Sequence, residues 1–231
     1  MNRYGGRIKN DLNMVLNHIG EDDPIDLISY PESKYVDIDG LKYYLTSNND
    51  FTILSINIQS INAKYNELLI LMNELTSAGH TLDALYIQET WLSDNDDTSP
   101  FRINNFNLIP QGKQVTAHGG LAIYLHEKYK HIPVNLNLAF TSWEYQCIEV
   151  FGGDLKNKIT ICNIYRPSKE SDCNRIYKIF LKEFTEIMVQ LSQIKHDCAV
   201  LGDFNIDLLK INKNKTFSDF FDMIVGFSFI P

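Results

Sequence analysis

Several familiar chemistries are absent from this sequence. It has only four cysteines, Cys147, Cys162, Cys173 and Cys198, and no two form a Cys-x-x-Cys pair, which argues against a structural zinc site. Cys147, Cys162 and Cys198 lie in or beside apolar stretches and read as small buried hydrophobes in a reducing compartment. There is no run of 18 apolar residues, so no membrane partner is expected. The start, Met1-Asn2-Arg3-Tyr4-Gly5-Gly6, lacks the apolar core of a secretory signal, so an intracellular protein is expected. No G-x-G-x-x-G or Walker A loop is present to cradle a nucleotide. No G-x-S-x-G elbow is present to raise a serine nucleophile.

Positive charge is short as well: 21 Lys and Arg stand against 29 Asp and Glu, a net charge of -8. A nucleic-acid binder usually shows a basic footprint. The deficit is shared, because residues 1–50 hold five basic and nine acidic residues and leave sixteen and twenty to the rest. The longer part is therefore only mildly acidic. A metal site gathers carboxylates, and the bound cation offsets them when a polyanion approaches.

What is present suits one large domain. Hydrophobic residues make up 44% and charged residues 22% of the 231, with 12 Tyr and 13 Phe, enough for a sheet-rich core. Residues 1–50 differ from the rest: they are rich in Asn, Asp and Tyr, have no sustained apolar period and are broken by Asp22-Asp23-Pro24. They read as a weakly structured extension, with short strands possible near Tyr35 to Leu45. The domain then runs from 51 to 231.

Order begins with Phe51-Thr52-Ile53-Leu54-Ser55-Ile56, an apolar, β-branched strand. Asn62 is placed to cap a helix whose face carries Tyr65, Leu68, Leu69, Met72 and Leu75, and Gly79 ends it. Ala84 to Ile87 is a second buried strand, followed by a polar loop from Ser93 to Pro100. Gly119-Gly120 opens the strand Leu121 to Leu125. Tyr145 to Phe151 and Lys158 to Tyr165 form a hairpin around Gly152-Gly153-Asp154. Arg175 to Ile194 is helical, with Ile176, Phe180, Phe184, Ile187, Leu191 and Ile194 on one face. Ala199 to Leu201 is another buried strand. Thr216 caps a last helix bearing Phe217, Phe220, Phe221 and Ile224, with Gly226 near its end. Strands alternating with helices, interrupted by hairpins, predict a mixed-sheet α/β fold.

The polar residues of interest fall at the C-terminal ends of these strands: Asn57 after Ile56, Glu89 after Ile87-Gln88, Tyr165 after Ile164, Asp203 and Asn205 after Leu201-Gly202. Such ends converge on one rim, where ligands bind. Each also has an ordinary reading. Glu89 suits a loop acid that caps the next turn, Asp203 and Asn205 suit a turn after Gly202, and Tyr165-Arg166-Pro167 suits a strand stopped by proline. His118 has the side chain of a neutral-pH base, but it also reads as a surface histidine.

The order of the pieces goes further. Ser55-Ile56-Asn57, Gln88-Glu89-Thr90-Trp91-Leu92, Gly119 to Tyr124, Ile164-Tyr165-Arg166-Pro167 and Gly202-Asp203-Phe204-Asn205-Ile206-Asp207-Leu208-Leu209 together resemble the endonuclease/exonuclease/phosphatase superfamily. Within it, Asn57-Ile58-Gln59-Ser60, Glu89-Thr90-Trp91-Leu92 and the ending Gly226 to Pro231 are similar to the apurinic-type endonuclease domains of LINE (non-LTR) retrotransposon proteins.

The resemblance implies a four-layer α/β sandwich of two sheets. It implies a metal site at Glu89 with Asn57 nearby, holding Mg²⁺ or Mn²⁺. Tyr165 would hydrogen-bond a phosphate oxygen, Asp203 would orient the attacking water, Asn205 would position the scissile phosphate, and Arg166 would join Tyr165 and Asn205 in binding substrate. Phosphodiester cleavage needs these parts: a hard cation with oxygen ligands and an oriented water. The family pattern continues to a Ser-Asp-His segment, and none of the six histidines here follows Ser-Asp. The expectation is a C-terminally truncated domain lacking its last strands. The expected partner is DNA, with a reverse transcriptase fused or downstream and a nuclear location if active. The expected activity is DNA nicking for target-primed reverse transcription. The alternatives are an inactive remnant or binding module of the same fold, and a superfamily phosphatase.

Overall fold

The computed structural model describes residues 51–136, 142–167, 174–206 and 215–227. The expected extension at 1–50, Cys173, and Asp207 to Leu209 lie outside the described residues, as does the ending from Ser228 to Pro231.

Among the described residues, eight strands form two four-stranded sheets. The first sheet contains β1 (Ile53–Asn57), β2 (Ala84–Gln88), β3 (Phe106–Gln111) and β4 (Leu121–His126), in the order β1-β2-β4-β3. The second contains β5 (Tyr129–Pro133), β6 (Glu144–Gly152), β7 (Ile159–Tyr165) and β8 (Cys198–Asp203), in chain order. β1 and β2 run parallel, as do β7 and β8, and the remaining pairs are antiparallel. Both sheets are therefore mixed. The described helices are α1 (Ile61–Ser77), α2 (Asn174–Leu191) and α3 (Lys215–Gly226).

The period of two along each strand sets the layers. On β2, Ala84 and Tyr86 face the second sheet, while Leu85 and Ile87 face α1. On β7, Ile161 faces the first sheet, whereas Cys162 and Ile164 face α2 and α3. Three apolar clusters result, one per gap. α1 packs on the first sheet through Ile61, Leu68, Met72 and Leu75. The sheets pack on each other through Tyr86, Ile123, Leu125, Ile148 and Ile161. α2 and α3 pack on the second sheet through Phe180, Phe184, Ile187 and Phe220, with Trp143 edge-on to both α2 phenylalanines. The chain is thus a four-layer α/β sandwich, as expected.

The details depart from expectation where local signals compete. The cap of α1 is Ser60 rather than Asn62: its hydroxyl accepts from Ala63 N at 3.4 Å, with φ at 84°. Thr216 lies inside α3, which starts at Lys215. β3 and β5 were not anticipated. Each is a half-buried edge strand, and β3 tolerates Pro110 because it pairs on one side only. Among the described residues, no helix is long and apolar enough to cross a membrane.

Candidate active site

The parallel pairs β1–β2 and β7–β8 both end at the same rim, and β1 lies against β8 across the gap. Asn57 ends β1, Glu89 follows β2, Tyr165 ends β7 and Asp203 ends β8. Four positions far apart in sequence therefore meet through strand length and pairing alone. Beneath them the sheets are joined by buried amides. Gln88 Nε2 donates to Asn163 Oδ1 at 2.6 Å and to Ser55 Oγ at 3.0 Å, and Asn163 Nδ2 donates to the Ile87 carbonyl at 3.1 Å. This network ties the two sheets together under the rim.

Asn57 is the hub. Its Nδ2 donates to Glu89 Oε1 at 2.8 Å and to Asp203 Oδ2 at 2.7 Å, while its Oδ1 accepts from Gln59 N at 3.2 Å. Two carboxylates, one from each sheet, thus share a neutral amide. Among the described residues, neither carboxylate is salt-bridged to a lysine or arginine. Glu89 also accepts from Trp91 Nε1 at 3.3 Å and from the Tyr165 phenol. Burial, then the charge of Glu89 and that hydrogen bond, push the Tyr165 phenol far above its ordinary value. It stays a proton-bearing donor throughout the physiological range.

The rim is also where the backbone is least relaxed. Glu89, Trp91 and Asn205 have φ of 55°, 60° and 49°. Such conformations cost energy for non-glycine residues and cluster at functional sites. Gly202 has φ of 135°, and a Cβ there would lie 1.9 Å from the Ile164 carbonyl oxygen. Only glycine lets β8 approach β7 so closely and deliver Asp203 beside Tyr165.

Asn205 is exposed. Its Nδ2 donates to the Arg166 carbonyl at 2.7 Å, and its backbone N–H donates to Asp203 Oδ1 at 2.9 Å. Arg166 is not at the surface. It is 4% exposed, its Nε and Nη2 donate to the carbonyls of Phe204 and Asn205 at 2.7 and 3.0 Å, and its guanidinium lies over Tyr177 and Phe180. Arg166 was expected to join in binding substrate; here its Nε and Nη2 hold the turn after β8 from behind.

Sequence reasoning missed three groups at this rim. Trp91 was read only as part of a motif, yet its ring hydrogen-bonds Glu89 and packs against His118 with ring centroids 4.7 Å apart. Gln88 and Asn163 were passed over as strand residues. Glu144, 1% exposed, was not singled out. The available signal was an acid or amide within an otherwise apolar strand.

The donor set is made of oxygen: two carboxylates and one amide side chain. Among the described residues, no group of three His, Cys, Asp or Glu side chains gathers to hold a metal. The chemistry of the set still fits a hard divalent cation, because two acids meet with no cationic partner among the described residues.

No family model and no curated sequence matches the chain. Solved structures do. The APE2 catalytic domain of Xenopus laevis superposes with a TM-score of 0.53 at 15% identity, over 74% of this chain and 66% of that one. The AP endonuclease LMAP from Leishmania major gives 0.52 at 10% identity, over 75% and 65%. A 3′ phosphatase, NExo, from Neisseria, bound to a product DNA hairpin, gives 0.50 at 16% identity, over 75% and 71%. The chain therefore shares the two-sheet α/β sandwich fold of these nucleases and this phosphatase. The chain spans just under two thirds of the length of the first two structures, at 66% and 65%.

Proposed function

We propose that this chain is a divalent-metal-dependent phosphodiester hydrolase that nicks DNA, serving the endonuclease step of target-primed reverse transcription in a LINE-type retrotransposon protein. The observation that carries the reading is the linked set Glu89–Asn57–Asp203 with Tyr165, drawn from four strand ends of two sheets. The fold it sits on also supports the reading, since one protein of that fold was solved with a DNA hairpin. The retrotransposon assignment rests on the ordered sequence blocks.

Glu89, with Asn57 beside it, would hold Mg²⁺ or Mn²⁺, and Asp203 lies within the same hydrogen-bonded set. Such a cation neutralises charge on phosphate oxygens. The chain's own groups do the rest. Tyr165, kept protonated, donates to an oxygen that gains charge. Asp203, held at Oδ1 by Asn205 N and at Oδ2 by Asn57, orients a water and accepts its proton. Asn205, exposed at the rim, contacts the phosphate. Arg166 acts by holding the turn that carries Asp203 and Asn205. Trp91 fixes Glu89 from the side opposite Asn57.

The test is conversion of supercoiled plasmid to open circles by the purified chain with Mg²⁺, with EDTA and Glu89→Gln as controls, alongside Mn²⁺ binding followed by electron paramagnetic resonance. Nicking that needs the metal and Glu89 is the expected result. A cooperatively folded chain that binds no Mn²⁺ and leaves the plasmid intact would sink the proposal and point to a binding module instead.

A further inference from the structure

Glu144 opens β6, is 1% exposed and pairs in register with Tyr165. It meets no cation among the described residues. It instead accepts three backbone N–H groups: Gln114 and Val115 at 3.0 Å each on Oε1, and Gly120 at 2.7 Å on Oε2. A carboxylate satisfied by converging amides is a strong, directional anchor. All three donors belong to the segment between β3 and β4. Gly119 has no room for a side chain, since a Cβ there would lie 2.1 Å from Glu144 Oε1. Segment and carboxylate are therefore in direct contact.

What the segment does next matters. The Gly120 carbonyl accepts Thr90 N at 3.1 Å, and the Gly119 carbonyl accepts Trp91 N at 2.9 Å. These two bonds continue the β2–β4 ladder past Glu89, on the side away from β1. On the other side, the Glu89 and Thr90 carbonyls receive Ser60 N at 2.8 Å and Ile61 N at 3.1 Å. The peptide from Glu89 to Trp91, with φ of 55° and 60° at its two ends, is thus clamped from both sides. One clamp is the start of α1. The other is only as firm as its anchor. His118, on the same segment, lies against the Trp91 ring, which in turn holds Glu89.

We propose that Glu144 is a positioning residue for the site: through the segment from Gln114 to Gly120, it holds the Glu89–Trp91 peptide in its left-handed conformation and so aims the Glu89 carboxylate. The catalytic consequence rests on the hydrolase reading above, whereas the structural coupling does not.

The experiment compares the full chain with its Glu144→Gln variant, which keeps the shape but puts an NH₂ group where an acceptor stood. Backbone hydrogen exchange at Thr90 and Trp91, referred to the slowest amides of β2 and β4, should accelerate about tenfold or more. Plasmid nicking should lose about tenfold to a hundredfold in kcat, with KM for DNA within about twofold, because orientation and not binding is lost. A merely structural residue would slow no folded molecule. If Thr90 and Trp91 exchange unchanged in the variant, the proposal is overturned whether or not either protein nicks DNA. If the wild type nicks and the variant matches its kcat, it is likewise overturned. A wild type that does not nick counts against the hydrolase reading, and the exchange comparison still decides this one. If the variant does not fold, exchange in the wild type decides. Gln114, Val115 and Gly120 protected like the strands support the anchor, and the same amides exchanging like open loop refute it.

Discussion

β1 and β2 begin at one carboxylate and end at another, and the two ends are built differently. At the start, Asp83 is 5% exposed and fully answered: Thr52 N donates at 2.8 Å, Tyr129 O–H at 2.9 Å and Lys128 Nζ at 2.9 Å. Lys128 also reaches Asp154 at 2.8 Å. At the finish, Glu89 and Asp203 share one amide and have no cation among the described residues. Both ends have a tyrosine donor, Tyr129 below and Tyr165 above. The difference is the lysine. A buried acid that supplies its own counter-ion is a joint in the fold, whereas a pair of acids left without one is a place where charge from outside is wanted.

The largest effects should come from crossing the two ends. Glu89→Gln should lower metal-dependent nicking by about a thousandfold or more, with little change in melting temperature, because a hard-cation ligand is lost but no packing. Asp83→Ala should do the reverse. It strands Lys128 and unties Tyr129 and Thr52, and should cost about 3 kcal/mol by urea denaturation while kcat per folded molecule holds. Both mutations changing stability alike, or both changing rate alike, would erase the distinction. Lys128→Met should cost less, about 1 kcal/mol, since its side chain is 34% exposed and Asp83 keeps two donors.

The contrast also explains what could be read from the chain. The central strands were legible because each is an uninterrupted apolar run, as in Ala84 to Ile87 and Leu121 to Leu125. The candidate rim was legible because polar residues stop those runs at Asn57, Glu89, Tyr165 and Asp203. β3 and β5 were hidden because each is a short edge strand with a proline and no unbroken apolar run, and the Asp83 clasp was hidden with β5, which supplies Tyr129. The surroundings of Arg166 were hidden for a related reason. Arginine beside a rim tyrosine suggests a phosphate contact, and its position over Tyr177 and Phe180 appears only once α2 has folded across β7. Glu144 carries no local signal beyond being an acid at the start of an apolar strand, because its three partners lie 24 to 30 residues earlier in the chain.

Strain offers a smaller effect of opposite sign. Glu89 has φ of 55°, where a side chain is disfavoured and glycine is not. Glu89→Gly should therefore stabilise the fold by about 1 kcal/mol while abolishing nicking. A loss of stability would mean that the Asn57, Trp91 and Tyr165 bonds to Glu89 outweigh the strain, and that the upper rim is as much a joint as the lower one.

The gentlest probe is alkaline pH. Both phenols are held above their ordinary value of 10.0, chiefly by burial and then by the neighbouring carboxylate. At the lower end Lys128 opposes that rise and Tyr129 reaches about 12, whereas Tyr165, with no such cation, lies higher still. Because both values are raised, the neutral phenols contribute stability that is complete below pH 10. That stability falls as the unfolded chain ionises above pH 10, and it is lost as pH climbs through the folded values. Unfolding free energy should be level from neutrality to about pH 10 and decline beyond it, with the decline shallower in Tyr129→Phe and Tyr165→Phe. While the fold persists, phenolate absorbance followed in those two variants should show Tyr129 ionising before Tyr165. The reverse order would place the positive charge at the wrong end of β2.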